Sequence, residues 1–211
     1  MLITRRNVIV GGIAMAGAAS AAPVEKLVPT SSQDLGPFYP VIRPADEDAD
    51  LTRVRGATGA AAGTPINVVG RVLDRHGNPI AGARMEVWQA NAVGRYAHPG
   101  DVRDDAALDP NFQGYAALTT DRAGQFKFRT IKPGTYKIPG GMRTPHIHLD
   151  VRGHSERLIT QLYFPGEALN ATDRILKTAS RRDSVIATAI DRLSGDPRAL
   201  AFRWDVVLGV G

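Results

Sequence analysis

What most limits the fold open to this 211-residue chain is a succession of short runs rich in β-branched and aromatic residues, each closed by turn-forming chemistry. "INVVGRVLD" (66–74), "ARMEVWQA" (83–90), "QGYAALTT" (113–120) and "GQFKFRTI" (124–131) are such runs, and each reads as a strand. "RHGNPI" and "DRAG" place Gly, Asn, Asp and Pro between neighbours, and the second predicts a hairpin. "MRTPHIHLDV" (142–151), "RLITQLYF" (157–164) and "FRWDVVL" (202–208) continue the series. About eight strands spaced in this way predict an all-β chain, an antiparallel β-sandwich with long loops. In "ATDRILKTASRRDSVIATAIDRLSG" the helical spacing is interrupted, so one or two short helices or loops are expected before the final strand. The chain has no cysteine, so no disulfide supports this fold and thiolates are absent from any metal site.

The N-terminal part reads differently. Residues 1–22, "MLITRRNVIVGGIAMAGAASAA", place two arginines before an apolar run from Val8 to Ala19 and end in small residues suited to cleavage. This predicts a twin-arginine-type export signal and a periplasmic or extracellular protein. A permanent anchor is the alternative, but the apolar run is shorter than the ~20 residues a membrane span needs, so no stable span is expected once the signal is removed. Residues 23–64, rich in Pro, Ala, Gly and acids, read as an extended arm, and 65–211 as the sandwich domain. Without Arg5 and Arg6 the chain carries 24 Lys and Arg against 21 Asp and Glu. These are scattered, with no basic stripe or interleaved aromatics, so nucleic acid is not an expected partner.

His146 and His148 stand one residue apart within a strand, and i, i+2 side chains share a face, about 6–7 Å apart at Cα. That suits chelation, although two histidines lining a polar strand face would look the same. "WQANAVGRYAHPGD" (88–101) and "IKPGTYKIPGG" (131–141) each place a tyrosine, Tyr96 and Tyr136, in a loop flanked by Gly or Pro. Either tyrosine alone could be an ordinary buried phenol with a satisfied hydroxyl.

Taken in order, "LGPFYP", "EVWQANAVGRY", "LDPNFQGY", "RTPHIHLDV", "LITQLYF" and "FRWDVVL" resemble the intradiol ring-cleavage dioxygenases, close to the protocatechuate 3,4-dioxygenase type, over most of residues 34–208. The resemblance implies one non-haem Fe(III) per chain, held by Tyr96, Tyr136, His146 and His148. It implies a catechol-type substrate, opened by O2 between its two hydroxylated carbons to a cis,cis-muconate. Tyr136 would be the ligand that substrate displaces and a proton acceptor. Arg143 would stabilise charge on the ring, Gln161 would orient Arg143, and Trp88 and Tyr39 would border the substrate. Two phenolates suit Fe(III) because they neutralise its charge. The loop "KIPGGMRTP" between Tyr136 and His146 is shorter than expected for the protocatechuate type, so substrate identity is the least transferable point. An oligomer is expected, either of this chain alone or with a related chain lacking the ligands.

Two other readings use the same residues. A transthyretin-like binding module would suit "VVGRVLDRHGNPIAGARMEVW" but gives no reason for two tyrosines and two histidines in this order. A zinc hydrolase would pair His146 and His148 with an acid such as Glu156 or Glu167. His76, His98 and His154 are read as solvated, with His98 close enough to Tyr96 in sequence to act as its partner.

Overall fold

The computed structural model describes residues 26–44 and 46–209, so the expected export signal lies outside the described residues. Two sheets face each other. In the first, β1 (Pro65–Leu73) pairs antiparallel with β4 (Gln125–Ile131) along one edge. Along its other edge β1 meets β10 (Leu200–Arg203) and then β11 (Val206–Val207), and β9 (Thr188–Ile190) extends the sheet beyond β10. The second sheet runs in the order β3 (Tyr115–Thr119), β2 (Arg84–Trp88), β7 (His146–Arg152), β8 (Arg157–Tyr163), antiparallel throughout. A small hairpin of β5 (Tyr136–Ile138) and β6 (Gly141–Arg143) stands apart from both.

The core lies between the sheets, where alternation places the inward side chains. Val68 and Phe128 from the first sheet meet Val87, Ile147, Leu149 and Val151 from the second, all at most 1% exposed. Each of these burials stabilises the fold by roughly 1.5–3 kcal/mol before chain entropy is counted.

The sandwich expected from the strand pattern is present, with local departures. β1 runs parallel to β10 and β11, so the first sheet is mixed rather than wholly antiparallel. The expected strand over 142–151 is broken at Thr144–Pro145, because Pro145 has no N–H for a ladder, and the piece before the break turns to pair with β5. "FRWDVVL" is likewise divided, at Trp204–Asp205. The interrupted helical spacing yields 3-10 turns at Ala168–Ala171, Leu176–Thr178 and Arg182–Val185 and the strand β9, with no α-helix among the described residues. No helix there is long and apolar enough to cross a membrane.

The arm is extended, as its composition suggests, but it is fastened along its length. Gln33 N–H donates to Ile159 O at 2.8 Å, Ala117 N–H donates to Glu47 O at 2.9 Å, and Leu51 N–H donates to Arg129 O at 2.9 Å. Leu51 is fully buried within the main core, an anchor that the arm's composition does not announce. From Gln33 to Glu47 the arm crosses the outer face of the second sheet, and that face carries the site.

Candidate active site

On β7 the period of two separates the side chains cleanly. Ile147, Leu149 and Val151 enter the core, so His146, His148 and Asp150 face outward. Register sets their neighbours: Trp88 and Gln161 flank His148 on β2 and β8, and Tyr163 stands opposite His146. This face is outer with respect to the sandwich but is not exposed. The arm and two loops cover it, leaving His146 1% and His148 2% exposed.

Those loops bring the tyrosines. Asn91 shapes the first, its Oδ1 accepting the N–H groups of Val93 at 3.1 Å and Arg95 at 2.9 Å. Its backbone carbonyl accepts Gly94 N–H at 3.0 Å and Gly134 N–H at 2.9 Å, which ties the Tyr96 loop to the Tyr136 loop. Gly94 lies at the crossing, with φ of 83°. A Cβ there would come within 2.3 Å of Thr135 O, so the approach requires glycine. Tyr136 then opens β5, directly opposite Arg143 on β6.

The four side chains converge. Tyr96 Oη lies 3.1 Å from His148 Nε2 and 3.4 Å from His146 Nε2, and Tyr136 Oη lies 3.2 Å from His146 Nε2. His146 Nδ1 is 2.6 Å from Thr144 O, a contact that requires the proton on Nδ1 and leaves the Nε2 lone pair directed at the phenol oxygens. Trp88 stacks on the His148 ring at 5.1 Å and 13°, and Phe38 from the arm covers Tyr96 at 4.8 Å.

Burial controls the charge of all four. It pushes both imidazoles well below the usual histidine range, with Arg143 adding to the effect, so both are neutral lone-pair donors. It pushes the Tyr96 hydroxyl well up, helped by Tyr136 beside it. Burial also raises Tyr136, against the opposing pull of Arg143. Two imidazole nitrogens and two phenol oxygens thus meet at one buried focus. Among the described residues no set of three or more His, Cys, Asp or Glu side chains forms a metal-binding group, so no carboxylate joins the four. This donor set fits a hard, highly charged cation, which at the focus would reverse the phenol bias and favour phenolate.

A cleft of about 420 Å³ opens beside Tyr136, walled by Pro37, Phe38, Ile138, Pro139 and Ile175, with Arg143 and Gln161 at its inner end. Arg143 is 5% exposed and is held on two sides. Its Nε donates to Asp173 Oδ2 at 2.9 Å, and one Nη donates to Gln161 Oε1 at 2.6 Å. Gln161 in turn donates to Asp34 O at 2.8 Å, which orients its amide. Asp173 also accepts the N–H groups of Thr144 at 2.8 Å and of Ile175 and Leu176 at 2.9 Å. The cation is therefore fixed in place with its charge partly balanced.

Of the residues singled out from sequence, Tyr96, Tyr136, His146, His148, Arg143 and Gln161 come together here. Trp88 and Tyr39 do not line the cleft. Trp88 is 1% exposed behind His148, and Tyr39 packs edge-on against it at 5.0 Å, donating to Glu86 at 2.6 Å. Both back the site rather than face its opening. His76 and His154 are exposed, and His98 Nδ1 accepts Gly100 N–H at 2.9 Å rather than meeting Tyr96. Glu167 pairs with Lys132, away from the histidines. Sequence reasoning missed Asp173, Asp101 and Arg103, since an acid or arginine in an irregular segment carries no periodic signal.

The sequence profile of the Dioxygenase family matches residues 35–210. The chain is 41% identical over 184 residues to the protocatechuate 3,4-dioxygenase beta chain of Burkholderia cepacia, covering 84% of this chain and 74% of that one. It is 32% identical to the alpha chain of the Pseudomonas putida enzyme, covering 87% and 93%. Among solved structures, the dioxygenase domain of a dioxygenase and carbohydrate-binding protein fusion from Streptomyces sp. SirexAA-E aligns with a TM-score of 0.65 at 29% identity, covering 87% of this chain and all of that one.

Proposed function

The chain belongs to the intradiol ring-cleavage dioxygenases, close to the protocatechuate 3,4-dioxygenase type, and from that premise we propose that it opens a catechol-type substrate with O2 between the two hydroxylated carbons to give a cis,cis-muconate. The observation that carries this reading is the convergence of Tyr96, Tyr136, His146 and His148 at one buried focus, beside a cleft lined by both Tyr136 and Arg143. A binding module would have no use for that donor set, and no observation favours one.

Fe(III) held by these four residues would supply the Lewis acidity and one-electron chemistry that make a catecholate reactive toward dioxygen. The chain's own groups do the rest. Phe38, Pro37, Ile138 and Ile175 offer an apolar slot for the ring and exclude water from it. Burial favours the protonated form of Tyr136 and Arg143 moderates that bias, so Tyr136 Oη, at the cleft, would take a proton from a substrate hydroxyl as the phenolate that a bound cation favours. Arg143, locked by Asp173 and Gln161, sets a positive charge where negative charge develops on the ring, and it needs no reorganisation as that happens. His146 keeps its lone pair directed inward because Thr144 O holds the opposite nitrogen's proton.

We further place the protein outside the inner membrane, on the strength of Arg5, Arg6 and the apolar run that follows. Protease protection in spheroplasts tests this. Assembly into an oligomer, with itself or with a related chain, is read by the mass of the native protein.

The direct test of the activity is iron-loaded protein. A visible tyrosinate-to-iron absorption that shifts when catechol is added without oxygen, followed by oxygen uptake on admitting air, is the expected result. Colourless protein that takes up no iron on reconstitution would overturn the proposal.

A further inference from the structure

Arg103 lies outside the four metal-binding candidates, yet it touches the supports of both tyrosines. Its Nε donates to Asp101 Oδ1 at 2.7 Å, and one Nη also bonds Asp101 Oδ2. That Nη donates in addition to Gly94 O at 2.7 Å, at the point where the two tyrosine loops cross. The Asp101 side chain is fully buried, and its Oδ2 accepts the backbone N–H of Tyr96 at 2.9 Å. From the same anchorage the guanidinium lies over the Tyr136 ring, its central carbon 4.7 Å from the ring centroid. A cation over an aromatic face is attracted to it, and more strongly when the ring becomes a phenolate. Arg103 also forms part of the cleft wall, beside Tyr136.

We infer that Arg103 is a positioning residue that clamps the two loops from one side chain, setting the spacing and tilt of Tyr96 and Tyr136 relative to each other. Asp101 transmits the restraint to Tyr96, and the guanidinium face supplies it to Tyr136. The inference rests on the proposed ferric site, because the relative placement of two phenolates matters only if both address one metal. A planar guanidinium can satisfy this geometry and an ammonium cannot: Lys can meet Asp101 or cover the ring, but it has no fork to span Asp101, Gly94 O and the ring together.

The test compares wild type, Arg103→Met and Arg103→Lys as full chains loaded with ferric iron. Measured are iron per chain, the tyrosinate-to-iron absorption normalised per iron, melting temperature, and KM and kcat with catechol. Wild type should show the absorption. Arg103→Met should retain at least half of its iron, shift or broaden the absorption, and raise KM at least threefold. Arg103→Lys should recover most of the melting temperature while leaving the spectrum displaced, which separates positioning from a mere salt bridge. If the per-iron spectrum and KM of both variants matched wild type, the inference would be overturned while the ferric reading stood. If wild type itself took up no iron and showed no absorption, the ferric reading would fail and this inference with it. Should Arg103→Met not fold, the Arg103→Lys spectrum decides alone.

Discussion

Gly36 tests the idea that the arm is a wall of the site. Its φ is 74°, in the left-handed region, and a Cβ built on it would sit 2.9 Å from His148 Cε1. Gly36→Ala therefore carries two costs. The backbone cost is about 1–2 kcal/mol for an L-residue held at that φ, reduced by a few tenths because alanine also restricts the unfolded chain. The steric cost falls on His148, whose ring would have to yield about half an ångström to regain ordinary contact. Trp88 stacked on that ring resists the movement. A displacement of that size matters at a chelating site, and disturbing the support of a ligand typically lowers metal affinity about tenfold to a hundredfold.

Gly56→Ala isolates the first cost, since Gly56 has φ of 84° and nothing within 4 Å of a built Cβ. Denaturant unfolding of the metal-free proteins should show both variants destabilised, by roughly 1 kcal/mol for Gly56→Ala and more for Gly36→Ala. Iron titration against a competing chelator should show weakened affinity in Gly36→Ala alone. Equal iron affinity in the two variants, with equal loss of stability, would refute the claim that the arm packs against the ligand.

His148→Ala should lose iron, whereas Tyr136→Phe should retain part of it and bind substrate more slowly; full iron and turnover in His148→Ala would show the donor assignment to be wrong. Asp173→Ala removes the buried partner of Arg143 and the acceptor for three backbone N–H groups, so a loss of about 3–5 kcal/mol in denaturant unfolding is expected; a change below about 1 kcal/mol would contradict it. Asp150 is fully buried, and although burial pushes its carboxyl up, the guanidinium bonds from Arg152 and Arg157 outweigh that and hold it below the usual range. Its contribution to stability is thus present above the unfolded value of roughly 3.9 and is lost as pH falls through the lower folded value. Asp150→Asn should therefore flatten the acid limb of the stability profile below about pH 4, and an unchanged slope there would count against the pairing.

Local rules make part of this protein legible in its residue order. Alternation in "HIHLDV" places His146, His148 and Asp150 on one face and Ile147, Leu149 and Val151 on the other, whatever surrounds the strand, because successive side chains must point to opposite sides. Turn chemistry separated the strands, and the order of motifs carried the family resemblance along the chain. That same alternation marks the apolar face of β7 as the core face, but only the packing of distant segments closes the polar face over, with an arm whose Leu51 anchors it from within the sandwich. Tertiary structure also decided that Tyr96 and Tyr136 meet, since Gly94 and Gly134 let two irregular loops approach backbone to backbone. Asp173 reaches Arg143 across 30 residues, and Arg103 reaches the Tyr136 ring from another loop. Such contacts join segments distant in sequence and lie outside any repeating period. A strand pattern can therefore show where the histidines point but not which charges and backbones are waiting there.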